Sequence, residues 1–425
     1  LELQAGQGIQ VTGPTKMQVI QGTLSLFGAL ISSDQDIIIQ AGKHLPFEVE
    51  EDAQIELVGA KLEYHIVDTP LIPADRKGLA KTIESLPHPV KIMILGQIDT
   101  GKTSVVCYLA NHFFNLGKKV AVIDLDMGQQ DIGPPTTIAL GILNKSILQL
   151  GDIPLTRMVF VGKTSPKGRL VQTITGAREL VDHALFNNAD IILIDTTGWV
   201  FGGAARAFKS AKIRNLKPEL LVALQKENEI SHILEPFESS VYPNIINLSV
   251  FPNIHIRNQT TRKFLRESKF NQYFSTASSR LFNLNYLKIE NSFFKSGAPL
   301  KMDLQKNIEQ ILGCDFIYTE KAVDALFLVK KPSAMYEKNK LHIVKEQFKV
   351  SDIRIVSKNE EAGLVVGLLD KNLNTMGIGL IESINYEENK IRIFTPVTKQ
   401  IKVLQFGILK ISKTGQELAE LKSTF

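Results

Sequence analysis

The chain has 425 residues, 44% of them hydrophobic and 22% charged, which is the composition of a folded protein with a sizeable core. At roughly 100–200 residues per domain, that length suggests two to four domains. The net charge of +5 is too small to announce a nucleic-acid binder by itself, so any basic surface has to be local. No apolar run approaches the roughly 18–20 residues of a membrane span. Cys107 and Cys314 stand far apart in no metal-like spacing and read as buried thiols in a reducing compartment. No secretion-signal pattern opens the chain, and Leu1 in place of Met points to a processed, trimmed or tag-derived start.

Residues 1–69 read as an all-β domain, a small sandwich or barrel. Short alternating runs recur at Met17–Ile20, Leu24–Phe27, Asp36–Gln40, Phe47–Glu50 and Gln54–Leu57, punctuated by Gly13-Pro14, Gly28, Gly42 and Gly59. Residues 70–89 carry Pro70, Pro73, Pro87 and Pro89 around a helical piece and read as a linker. From 90 to 283 strands and helices alternate. The apolar runs Val90–Leu95, Lys119–Ile123, Met158–Gly162, Ile191–Ile194, Leu220–Leu224 and Ile245–Leu248 predict a doubly wound α/β domain with a mostly parallel sheet. Function is expected at the carboxyl ends of those strands. Residues 284–425 return to β-like segments and form a C-terminal β-rich domain.

The first α/β unit carries Gly96-Gln97-Ile98-Asp99-Thr100-Gly101-Lys102-Thr103-Ser104, which is G-x-x-x-x-G-K-[ST] after a strand and before a helix. The glycines let the backbone turn so that successive N–H groups face a phosphate. The helix behind adds its partial positive end. Lys102 suits the β- and γ-phosphates, and the Thr103 hydroxyl suits Mg²⁺. Asp124 and Asp126 leave the tip of the next strand, followed by Gly128-Gln129-Gln130-Asp131. A carboxylate there can hold Mg²⁺ or take the proton from an attacking hydroxyl, and an ordinary solvated turn is the alternative.

Thr164-Ser165-Pro166-Lys167-Gly168-Arg169 offers a hydroxyl, a freed backbone and two cations to a phosphate, or is a plain strand-to-helix turn. Asp195-Thr196-Thr197-Gly198-Trp199 ends a buried strand in D-x-x-G, a pattern shared with GTPases. Trp199, the only tryptophan, is either a base-stacking platform or a core residue. Residues 201–217 carry Arg206, Lys209, Lys212, Arg214 and Lys217 with no acid, and read equally as a solvated helix face or as cations near phosphate. Residues 257–269 carry Arg257, Arg262, Lys263, Arg266 and Lys269. Arg262 and Arg266 are spaced i,i+4 and share a helix face that can close over a phosphoryl group.

Taken in order, the phosphate loop, Asp124-Leu125-Asp126-Met127-Gly128-Gln129, Thr164 to Gly168, Thr197-Gly198-Trp199, and Arg262-Lys263-Phe264-Leu265-Arg266 with Gln272-Tyr273-Phe274 resemble one family. It is the polynucleotide 5′-hydroxyl kinase family, which includes the RNA kinase of messenger-RNA 3′-end and transfer-RNA splicing machinery and its ribosomal-RNA-processing relatives. Gly22 to Gly28 (G-T-L-S-L-F-G) and Gly363 to Asp370 with Gly377-Ile378-Gly379 are similar to its N- and C-terminal β-domains, so the resemblance spans nearly the whole chain. It implies a P-loop kinase core over 90–283 that transfers the γ-phosphate of ATP to the 5′-hydroxyl of RNA, with DNA left open as an acceptor. Gly96 to Ser104 would bind ATP, and Thr103 and Asp126 would hold Mg²⁺. Asp124 would be the base, with Asp126 its runner-up. Gln129, Thr164, Pro166, Gly168, Thr197, Gly198 and Trp199 would hold the RNA 5′ end, and Arg262 and Arg266 would belong to a lid.

Ser165 departs from the T-P run of the family and shifts the expected phosphate contacts by a residue. The compact length resembles archaeal members, which implies a cytoplasmic protein (a nuclear one if eukaryotic), RNA-processing proteins as partners and no membrane association. A non-catalytic ATP-binding scaffold of an RNA-processing complex is the alternative within the family. A GTPase switch is the alternative outside it, but Gln225-Lys226-Glu227-Asn228 lacks the Asp that reads guanine.

Overall fold

The computed structural model describes residues 1–33, 35–69, 71–250, 258–422 and 425, so Pro70 of the expected linker and Arg257 of the basic run lie outside the described residues. The chain divides into two compact units. The first is Leu1–Gly133, Ile138–Arg157 and Pro166–Phe264, and the second is Pro134–Thr137, Met158–Ser165 and Leu265–Phe425.

In the first unit the N-terminal strands join in one seven-stranded sheet rather than two separately paired ones. Its path runs Ala29–Ile31, Thr15–Leu26, His44–Val58, Gly8–Thr12, Glu63–Val67, with Glu2–Leu3 and Asp36–Ile39 paired alongside. The runs Met17–Ile20 and Leu24–Phe27 read as two strands but are parts of one, Thr15–Leu26, and Phe47–Glu50 and Gln54–Leu57 both lie within His44–Val58. Gly22 explains the first case. At φ +85° it is absorbed as an irregularity opposite Asp52 and Ala53, where a Cβ would stand 2.2 Å from the Asp52 carbonyl. Met17, Val19, Leu24 and Leu26 alternate inward and are fully buried.

The helical piece of the linker is Ala74–Glu84, and it is tied down. Asp75 accepts from the Ser249 amide and hydroxyl at 2.9 and 2.8 Å, and Arg76 donates to the Ser249 carbonyl at 2.6 Å.

The central sheet has seven strands in the order Leu155–Phe160, Thr137–Ile142, Val120–Asp124, Ile191–Asp195, Val90–Gly96, Leu220–Leu224, Asn244–Leu248, and the first of them is the strand expected at Met158–Gly162. The pairs from Val120–Asp124 to Asn244–Leu248 are all parallel, and Thr137–Ile142, which the apolar pattern did not single out, pairs antiparallel with Val120–Asp124. The parallel strands are continuous Val/Ile/Leu runs because helices cover both faces, and Ile191, Ile192, Leu193 and Ile194 are fully buried. Parallel pairing puts the carboxyl ends at one edge: Asp195 stands in register with Asp124, and Leu224 with Gly96. Helix Lys102–Asn115 follows the phosphate loop. Its Asn111 is fully buried and links three segments. The side-chain amide donates to the Phe27 and Ile147 carbonyls, both at 2.9 Å, and its oxygen accepts from the Ile147 amide at 2.8 Å. Phe27 is the penultimate residue of the G-T-L-S-L-F-G run, so that run docks onto the phosphate-loop helix.

The second unit has two sheets. One runs Ser278–Asn283, Lys390–Thr395, Thr375–Asn385, Leu364–Leu369, Val403–Ile411, Lys288–Glu290, with Glu417–Glu420 beside Val403–Ile411. The other runs Ala298–Pro299, Phe316–Lys321, Ala325–Lys330, Asp352–Ser357. Helices Met302–Leu312 and Leu341–Phe348 pack on the latter through Ile308, Leu312, Val344 and Phe348. Among the described residues no helix is long and apolar enough to cross a membrane.

Asn111→Ala is expected to lower the free energy of unfolding by at least about 2 kcal/mol, because it strands three buried backbone groups. Urea unfolding measures this, and Asn115→Ala, at an exposed position of the same helix, is expected to cost less than about 1 kcal/mol by the same assay.

Candidate active site

Gly101 at φ +88° and Asp99 at φ +56° let the loop after strand Val90–Gly96 fold back on itself. Gly96 is confined differently: a Cβ there would lie 2.6 Å from the Thr100 hydroxyl and 2.7 Å from the Leu224 carbonyl. Thr100 closes the turn by donating to the Gln97 carbonyl at 3.0 Å. Lys102 is buried and its Nζ donates to the same carbonyl at 2.5 Å. Burial pushes the Lys102 ammonium down, against the pull of Asp195, Asp126 and Asp99. Thr103 donates its hydroxyl to Asp195 Oδ2 at 2.7 Å.

The two carboxylates after strand Val120–Asp124 differ sharply. Asp124 is buried, and both of its oxygens are occupied by backbone: Oδ1 accepts from the Asp126 amide at 2.9 Å and Oδ2 from the Asp131 amide at 2.8 Å. Burial and the neighbouring Asp195 and Asp131 carboxylates push it well above the usual range. Asp126 is half-buried, and its Oδ1 caps the next turn by accepting from Gly128 and Gln129 at 3.1 and 3.0 Å. Gln130 is fully buried and stitches the same loop, donating to the Asp124 carbonyl and accepting from Ile132 and Gly133. Gln129 reaches the Arg262 carbonyl at 3.2 Å.

Thr197-Gly198-Trp199 packs against the phosphate loop. A Cβ on Gly198 would stand 2.5 Å from the Ile98 amide nitrogen and 2.6 Å from its Cα, so only glycine brings the two loops this close. Trp199 is half-buried and lies on Phe208, ring centroids 6.0 Å apart.

Helix Gly203–Leu216 divides the basic run into solvated and buried cations. Arg206, Arg214 and Lys217 are exposed, but Lys209 and Lys212 are fully buried, because they fall on the inward stripe with Ala205, Phe208, Ile213 and Leu216. Lys209 Nζ donates to the Thr196 hydroxyl at 3.0 Å and the Thr197 carbonyl at 2.5 Å. Lys212 Nζ lies 4.4 Å from the Phe208 ring centroid and has no hydrogen-bond partner. Burial brings Lys212 down to about 7, against the attraction of Asp126 and Asp195. Asp195 Oδ1 and Thr197 Oγ1 are likewise buried without a partner, so three unsatisfied polar atoms belong to this one strand tip and its supporting helix.

The remaining expected residues divide. Thr164 and Ser165 fall in the second compact unit, whereas Pro166 and Gly168 fall in the first. Pro166 accepts from the Arg169 amide at 2.8 Å, and Gly168 takes φ +78° with open space where a Cβ would point. Arg262 and Arg266 both lie on helix Gln259–Phe274, which Asn258 caps by accepting from the Thr261 amide at 2.8 Å. Arg262 donates to Asp99 of the phosphate loop at 2.5 Å. Arg266 instead makes a two-pronged pair with Glu417 at 2.6 and 3.0 Å within the second unit.

Asp195, Lys209 and Lys212 join the site although none was assigned a role in it. Asp195 had a signal, since it ends a buried strand in D-x-x-G. The lysines had theirs in the acid-free run 201–217, one of whose two readings was cations near phosphate.

The description "mRNA cleavage and polyadenylation factor CLP1 P-loop" fits residues 96–276 as a family model. The polyribonucleotide 5′-hydroxyl-kinase of Methanocaldococcus jannaschii is 32% identical over 361 residues, covering 82% of this chain and 95% of the relative. That of Pyrococcus furiosus is 31% identical over 352 residues, covering 82% and 96%. A solved structure of wild-type Clp1p with Pcf11p shares the fold with a TM-score of 0.66 over 96% of this chain and 97% of that one, at 14% identity. The chain therefore belongs to the polyribonucleotide 5′-hydroxyl-kinase family built on the CLP1 P-loop domain.

Proposed function

We propose that the chain is an ATP-dependent polynucleotide 5′-hydroxyl kinase whose acceptor is RNA. The observation that carries the reading is the convergence at one sheet edge of the phosphate loop, the Thr103–Asp195 pair and the Asp126 loop, in a chain of this family. ATP is the phosphoryl donor. The residues present also fit Mg²⁺. Among the described residues no three His, Cys, Asp or Glu side chains gather into an all-protein cage. A magnesium ion in a kinase site asks for less than that, one or two hard oxygens beside those of the phosphates. Thr103 and Asp195, whose Oδ1 is buried and unpartnered, supply them, with Asp126 as a further candidate. Magnesium held by these residues would supply positive charge beside the phosphates.

Lys102 would leave the Gln97 carbonyl for the β- and γ-phosphates, and Arg262, already at Asp99, would face the transferred group. Of the two aspartates, Asp126 suits the base, since both oxygens of Asp124 hold the loop that presents it. Pro166, Gly168, Gln129, Thr197, Gly198 and Trp199 of the first unit would hold the RNA 5′ end. Arg266, paired with Glu417, would anchor the helix that carries Arg262. We keep the division 1–69, 70–89 and a kinase part from 90 as functional parts. The last boundary moves from 283 to the end of helix Gln259–Phe274, because strand Ser278–Asn283 pairs with Lys390–Thr395 of the C-terminal sheet. RNA-processing proteins would be its partners.

The test is transfer of labelled γ-phosphate to a short 5′-hydroxyl RNA, with a matched DNA alongside. Wild type is expected to label RNA. Lys102→Ala is expected to abolish labelling, and Asp126→Asn to lower kcat by about 10²–10⁴-fold with an unchanged melting temperature. Asp124→Asn is expected to lower the melting temperature as well. ATP binding with no label on either polymer would sink the reading and leave an ATP-binding scaffold.

Gly198→Ala is expected to raise the KM for ATP and lower kcat together, because the new methyl meets backbone atoms of Ile98 and displaces the phosphate loop. A variant with wild-type constants for both substrates would show that the close approach is immaterial.

Lys212 also shapes stability. Its folded value of about 7 lies below the unfolded one, so the unfolded chain binds more protons between about pH 7 and 10, and stability rises with pH across that window. Lys212→Met is expected to remove that part of the slope in denaturant titrations and to be at least as stable as wild type at pH 7.

A further inference from the structure

We propose that Phe201 forms a second base-stacking subsite next to Trp199, so that the acceptor is a polynucleotide whose first two 5′ nucleotides are unpaired. The proposal rests on the reading of Trp199 as an acceptor contact and extends it by one base.

Phe201 is 59% exposed, unusual for a phenylalanine beside an active-site loop. Its ring is not loose. It stacks on His232, centroids 6.2 Å apart and planes 18° from parallel, and His232 is itself fixed by Nε2 donating to the Val200 carbonyl at 2.8 Å. Trp199 lies against Phe208 in a tilted contact, planes 36° apart. Between them Val200 is buried, while Trp199 is half-buried and Phe201 exposed. The chain therefore presents two aromatic rings, two residues apart, each set against another ring. Rings fixed in this way lose little freedom when a base stacks on them.

The surroundings suit a polyanion rather than a protein surface. Gly202 and Gly203 follow with nothing within 4 Å of where a Cβ would point, which leaves the backbone open to close approach. The first turn of helix Gly203–Leu216 carries no acid, and Arg206 is exposed one turn on. Stacking on successive rings with a cation nearby is the general device by which proteins hold single-stranded nucleic acid.

Trp199, the only tryptophan, supplies a readout that needs no catalysis. Its fluorescence is followed on titration with a nucleoside 3′-monophosphate and with a 5′-hydroxyl RNA tetranucleotide. Both are expected to quench wild type, the tetranucleotide at a much lower concentration. Phe201→Ala is expected to weaken tetranucleotide binding roughly tenfold and leave the mononucleotide unchanged, with Phe201→Tyr restoring wild-type affinity. Quenching by both ligands with equal affinities in wild type and Phe201→Ala would overturn the second subsite and leave the Trp199 reading standing. Labelled RNA product without any quenching of Trp199 would overturn the Trp199 reading, and the second subsite with it.

Discussion

Burial of charge at the tips of three parallel strands is the constraint on which the rest of the site depends. Asp124 and Asp195 stand side by side in register, and parallel strands with no turn between them give no freedom to splay the two apart. Two buried carboxylates that close repel, and desolvation raises both. The molecule answers in two ways. Backbone amides of the Asp126–Asp131 loop fill both oxygens of Asp124, which turns the acid into a scaffold for the loop beyond it. Three cations on two elements face the cluster: Lys102 from the phosphate loop, and Lys209 and Lys212 from the helix after Trp199. Arg262 adds a fourth near Lys102 and Asp99.

That arrangement explains why the cations are unequal. Lys209 is spent on structure, since its ammonium holds the Thr196 hydroxyl and the Thr197 carbonyl and so fixes the turn that carries Gly198 and Trp199. Lys212 is not spent on any hydrogen bond. An unpartnered buried ammonium is costly, and it is tolerable here because two carboxylates lie within electrostatic reach and because the proton can leave. The same balance leaves Asp195 Oδ1 without a donor, the condition of a group held ready for a cation.

The fold was legible in the sequence wherever one local signal decided it. Continuous apolar runs marked six of the seven central strands, and G-x-x-x-x-G-K-T between a strand and a helix marked the phosphate loop. The order of the strands was not legible. Ile191–Asp195 inserts between Val90–Gly96 and Val120–Asp124 although it follows both in the chain, and only that insertion brings Asp195 to Thr103 across 92 residues. Lys209 and Lys212 were misleading for a different reason. Lysine is a surface residue by default, and a run of cations without acids looks solvated until Phe208, Ile213 and Leu216 are seen to share their stripe. The gap between the runs Met17–Ile20 and Leu24–Phe27 misled in the opposite direction, since Gly22 within it is a positive-φ residue inside one long strand.

Gly198 joins these observations into a statement about catalysis. Phosphoryl transfer asks a protein mainly for positioning and electrostatics, because the donor and acceptor oxygens have to lie in line around a group that is only loosely bonded to either. The donor loop and the Thr197–Trp199 loop touch backbone to backbone at Ile98 and Gly198, with no side chain between them to repack. The first is anchored in strand Val90–Gly96 and the second in its neighbour Ile191–Asp195, paired in register from Ile191 with Val90 onward. The distance between the two loops is thus set by sheet geometry and a missing Cβ. Such a distance is far stiffer than one set by mobile side chains, and it requires glycine at 198.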